Sequence, residues 1–160
     1  MSEVVKPRES RTVEDMIRKG RLVRVSHDAQ LAAVHIERAR GRLRSAQRAC
    51  DAHDYTECAS PLWDAARLSC AAILQAEGLR ANGEGHHATT LDAVTEQFGH
   101  MLGKSLRTAR RLRAERREDQ YPTRALLPEP SAQDTNDDIA SVTALVNAVQ
   151  ELLPHLPRYH

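Results

Sequence analysis

The chain predicts an all-α fold, an up-and-down bundle of about five helices, and three observations carry that prediction. Apolar residues make up 41% of the 160 positions, but aromatics only 3%, and much of the apolar content is alanine and leucine. Such a core suits closely packed helices, whereas sheets favour aromatic and β-branched residues. Apolar residues also recur at spacings of three and four through several long segments. Finally, no segment alternates at the strand period for long enough to argue for a sheet. The length fits one domain with a core of its own.

The elements follow in order. Residues 1–11 are polar and read as a flexible N-terminus, residues 12–154 as the helical domain and residues 155–160 as a C-terminal tail. Thr12 to Arg18 reads as a short helix, with Thr12 and Asp15 at capping-box spacing and Gly20 as its stop. Arg21 to Val25 alternates briefly but is too short and isolated for a sheet. A long helix then starts from a cap at Ser26, His27 or Asp28. Ile36, Ala39, Leu43, Ala46 and Cys50 mark its inner face, and 51–54 ends it. The next helix starts around Glu57–Pro61 and runs to Glu77, with Gly78 as its stop. It is apolar on nearly all sides and so buried from several directions. Asp64 and Arg67 are its exceptions, three apart and able to pair. Residues 79–86 form a glycine-rich connection. Leu91, Val94 and Phe98 face inward on a helix that breaks at Gly99 or Gly103 before a basic helix. Three prolines make 122–130 a loop. Thr135 and Asp138 have capping-box spacing for a last helix, along which Ile139, Val142, Val146, Val149 and Leu153 form the seam.

Charge and cysteine usage narrow the function classes. The formal net charge of +1 says little about partners, but seven of the fourteen residues from Lys104 to Arg117 are basic. Glu129, Asp134, Asp137 and Asp138 make 129–138 acidic. The basic run can therefore bind phosphates or pair with the chain's own acids. Cys50, Cys58 and Cys70 form no CxxC pair. With no signal peptide and no membrane-length apolar run, a cytoplasmic protein with reduced thiols is expected. Cys50, His53 and Cys58 lack a fourth ligand at zinc spacing, so no metal is expected. The three aspartates of 134–138 are explained by a helix start. No phosphate loop or dinucleotide fingerprint is present, and no cofactor is expected.

Within the basic run, Leu102, Leu106, Ala109 and Leu112 form an apolar helical stripe, and Arg116 continues it. A charged group at the end of a buried stripe needs a partner or a task. Asp64 or Asp119 could pair with Arg116, or Arg116 could hold a phosphate. Arg110, Arg111 and Arg117 point elsewhere, and with Arg113 they read as a solvated face or as phosphate contacts.

Four places resemble the bacterial HEPN domain (higher eukaryotes and prokaryotes nucleotide-binding), over roughly residues 13–153. They are Gly20-Arg21-Leu22-Val23-Arg24, the segment from Trp63 to Arg80, Gly85-His86-His87 and the segment from Arg110 to Pro122. The resemblance implies a helical bundle, commonly a homodimer. Many active members are metal-independent ribonucleases whose motif is Arg, four to six residues, then His, with two motifs meeting across the dimer. In that chemistry arginine stabilises the phosphate and histidine moves protons. Here Arg116 matches the arginine, and Tyr121 stands where the histidine belongs. A tyrosine with a pKa of about 10 is a poor proton shuttle at neutral pH. His86 or His87 could supply the imidazole if its loop folds toward Arg116. The resemblance thus implies a homodimeric module with a degenerate motif, bound to RNA, a nucleotide, or a nucleotidyltransferase or antitoxin partner. The alternatives are an active ribonuclease toxin of a toxin–antitoxin or phage-defence pair, and a non-catalytic helical scaffold.

Overall fold

The computed structural model describes residues 7, 9–119 and 129–159, with side chains except those of 116–119. Its main elements, in chain order, are α1 (Arg11–Arg18), β1 (Leu22–Arg24), α2 (Ala29–Asp51), α3 (Ala59–Glu77), β2 (Leu79–Ala81), α4 (His86–Asp119) and α5 (Ala132–Leu152). A 3-10 turn, Tyr55–Cys58, precedes α3, and another, Leu153–His155, follows α5. The bundle of five helices is as the periodicity predicts.

Helix α3 is the axis of the molecule. Leu62, Trp63, Ala65, Ala66, Cys70, Ile73 and Leu74 are buried on it, so Trp63 is a core residue. Helix α2 lies antiparallel to it: the Cys58 thiol reaches the Ala46 carbonyl at 3.4 Å, while His27 Nδ1 donates to the Ala76 carbonyl at 3.0 Å. Helix α5 runs antiparallel to α2, with Arg40 bonded to Asn147 and Gln150 near one end and Cys50 beside Asn136 near the other. The second half of α4 is antiparallel to α5, through Ser105 on the Ser141 carbonyl and Arg111 on Asp138. The inner face expected of α2 is buried at Ile36, Ala39, Ala46 and Cys50, and Asp28 is the residue that caps it.

Five details add to or correct the sequence reading. Residues 22–24 do form a strand, pairing antiparallel with 79–81 in the register Leu22↔Ala81, Val23↔Arg80, Arg24↔Leu79. Each strand is isolated in sequence, and only the α2–α3 hairpin brings its partner beside it. Ser10, not Thr12, caps α1, accepting from the Val13 amide. Ser131, not Thr135, caps α5, accepting from the Asp134 amide at 3.0 Å; Thr135 is buried inside the helix. The tail is docked: Leu156 is buried, the Tyr159 amide donates to the Glu77 carbonyl at 2.9 Å, and Arg24 donates to the Tyr159 carbonyl at 2.7 Å.

The fifth detail concerns α4. The break expected at Gly99 or Gly103 is not an interruption, because residues 86–119 are helical throughout. The helix is nonetheless bent. Asp92 and Arg110 are eighteen residues apart, yet their side chains meet at 3.1 Å. A straight helix would hold their backbones about 27 Å apart, more than the two side chains can span. The axis therefore folds back between them, in the stretch that contains both glycines, and glycine is a usual cause of a sharp helix kink.

Candidate functional site

The basic half of α4 is helical from Lys104 to the end of the element at Asp119. Leu106, Ala109 and Leu112 are buried and Leu102 half-buried, so the apolar stripe is real and Arg116 follows it in phase. Arg110 and Arg111 are not free cations. Arg110 pairs with Asp92 at 3.1 Å, and Arg111 pairs with Glu115 at 2.7 Å and with Asp138 of α5. The pairing with the chain's own acidic segment therefore occurs at Arg111. Arg107 is exposed and Arg113 half-buried, and among the described residues neither makes an ion pair. The side chains of Arg116, Arg117 and Asp119, and all of Tyr121, lie outside the described residues.

Asp64 and Arg67 pair as their spacing predicts, at 3.0 Å. Asp64 also lies 3.9 Å from Arg42 of α2. This cluster occupies the outer groove between α2 and α3. His35 adds to it from α2: its Nδ1 is buried without a hydrogen-bond partner. Burial first, then the Arg38 and Arg67 guanidiniums, hold its pKa below the ordinary histidine value. His86 donates from Nδ1 to the Gly83 carbonyl at 3.2 Å, anchoring the turn before α4, and its ring lies 4.0 Å from that of His87.

The sequence reading missed three polar residues with a buried, unpartnered side-chain atom. Glu77 is 1% exposed and Gln97 is fully buried. Gln97 Nε2 donates to Glu77 Oε1 at 3.1 Å, while Glu77 Oε2 and Gln97 Oε1 have no partner. Burial pushes the Glu77 pKa up to about 8, opposed by the Gln97 hydrogen bond. The available signal was position: Glu77 closes a helix that is apolar on nearly every side. The third is His35, whose neighbour Arg67 comes from a different helix, so no local pattern marks it.

The thiols are core groups. Burial raises Cys70 to about 12, and burial with Cys50, Asp54 and Glu57 raises Cys58 to about 11. Among the described residues no group of three or more His, Cys, Asp or Glu is gathered to hold a metal, and no helix is long and apolar enough to cross a membrane. No protein-family model matches the chain, and no curated protein matches it.

Proposed function

We propose that the chain is a HEPN-like helical module with a degenerate ribonuclease motif. It forms a homodimer and holds RNA, a nucleotide, or a nucleotidyltransferase or antitoxin partner. The observation that supports this most is the helical backbone of 104–119 combined with a buried Leu106–Ala109–Leu112 stripe. Arg116 follows these buried residues in phase along the sequence, which supports reading it as the motif's arginine. The internal pairing of Arg110 and Arg111 shifts the weight away from a broad RNA-binding face and toward a small site or a protein partner.

A second reading, an active metal-independent ribonuclease, gains from the bend in α4. Arg110 meets Asp92. Five residues before Asp92 on one arm is His87, and six after Arg110 on the other is Arg116. His87 would then replace the imidazole that Tyr121 lacks.

Cleavage of labelled tRNA and mRNA in EDTA by wild type, Arg116→Ala and His87→Ala tests both readings. The degenerate module gives no cleavage by any of them, together with retained binding of RNA, nucleotide or a partner. Cleavage by wild type that both substitutions abolish establishes the nuclease instead. A strict monomer that binds none of the three ligand classes overturns the first reading.

A further inference from the structure

We propose that the outer groove between α2 and α3 binds a phosphoryl group, with His35, Arg38, Arg42 and Arg67 as donors arranged around Asp64. The spacing puts these residues together. On α2, residues 35, 38 and 42 share one helical face, and on α3 residues 64 and 67 share another. The two helices are antiparallel, and Arg42 lies 3.9 Å from Asp64. One turn along, Arg38 comes level with Arg67, and His35 follows about a turn beyond.

The charges do not cancel. Among the described residues, three guanidiniums, Arg38, Arg42 and Arg67, share the groove with one carboxylate, two positive charges in excess. Asp64 is the floor of the groove, its side chain 14% exposed, and Arg42 is at the rim at 55%. Asp64 holds Arg67 through Nε at 3.0 Å, so the two Nη groups of Arg67 are left for another acceptor. Not every arginine of α2 belongs here: Arg40 is committed to Asn147 and Gln150 of α5.

His35 completes the donor set without adding charge. Its sealed Nδ1 has no partner. A proton there would be a buried, unsatisfied donor, so the favoured tautomer carries it on Nε2. A neutral Nε2–H beside the Arg38 and Arg67 guanidiniums is a donor-rich cradle, and phosphoryl oxygens are the acceptors that such a set recognises. The proposed donors all belong to α2 and α3, and the test requires neither cleavage nor Arg116.

The test titrates the full chain with sodium orthophosphate, and separately with a short oligouridylate, at constant ionic strength maintained with chloride. Amide and imidazole resonances are followed by 1H–15N NMR. Saturable shifts are expected at His35, Asp64 and Arg67. Arg38→Ala, which leaves the Asp64–Arg67 pair in place, is expected to weaken binding about tenfold, the usual size for one charge-assisted hydrogen bond. Arg67→Lys, which keeps the charge but loses the planar fork, should also weaken it, and Arg107→Ala on the exposed face of α4 should not. Saturation by orthophosphate alone assigns the site to a free or terminal phosphate. Saturation by both probes extends it to the phosphodiester backbone. No saturable shift with either, or binding by Arg38→Ala and Arg67→Lys equal to wild type, overturns the proposal.

Discussion

Glu77 ends α3 with its carboxyl group inside the bundle and only one of its oxygens hydrogen-bonded. A proton on Oε2 removes the buried charge and provides a donor, which is the physical reason the pKa rises to about 8. The sign of the linkage follows. The unfolded chain releases this proton near the ordinary carboxylate value of 4.5, and the folded chain near 8. Stability from this group is therefore full below 4.5 and is lost as the pH rises to about 8. Glu77→Gln keeps the shape, cannot ionise, and lets two amides satisfy one another. Thermal melts should show the variant close to wild type at pH 5 and more stable at pH 8.5, by about 1–3 kcal/mol. Equal pH dependence in both proteins would mean that Glu77 ionises without cost.

Among the elements, the α3–β2 junction depends on Gly78. Its φ is +75°, and a Cβ there would lie 3.2 Å from the Val25 carbonyl oxygen, a backbone atom. Gly78→Ala should cost about 1–3 kcal/mol in chemical denaturation, from left-handed strain and the close contact together. A loss below about 0.5 kcal/mol would show that the ribbon yields easily. The same junction shows what the sequence makes legible. Gly78 as a helix stop is a local signal, as are the long helical stripes and the Asp64–Arg67 spacing. The ribbon is not, because three-residue strands carry no usable period. The α5 cap was misread because Ser131-x-x-Asp134 and Thr135-x-x-Asp138 have the same local pattern. Only tertiary packing, which buries Thr135, separates them. Arg110–Asp92, Arg111–Asp138 and Glu77–Gln97 join residues 18, 27 and 20 positions apart. Side-chain pairs at such distances leave no mark on a single sequence.

For the molecule as a whole, the three thiols act as internal reporters. Cys50, Cys58 and Cys70 are all buried, on α2, the turn before α3, and α3 itself. Buried thiols are poor nucleophiles, and the raised pKa values of Cys58 and Cys70 add to this. A thiol-reactive chromogenic disulfide should find no fast-reacting group in the native protein at pH 7.5, and three after denaturation. One fast thiol under native conditions would identify a local opening of the bundle. Because all three sit on the α2–α3 hairpin, their labelling rate follows the opening of this central pair.

The β1–β2 ribbon has a further consequence, for engineering. It zips residues 22–24 to 79–81, across the two ends of the α2–α3 hairpin. Everything between leaves and returns within one strand spacing, about 4.8 Å. Segments whose ends lie side by side are the ones that transplant into a loop of a host protein without stretching it. The hairpin thus has the geometry of a graftable cassette, carrying the His35–Arg67 groove on its outer face and leaving α1, α4 and α5 as the parts a host would have to replace.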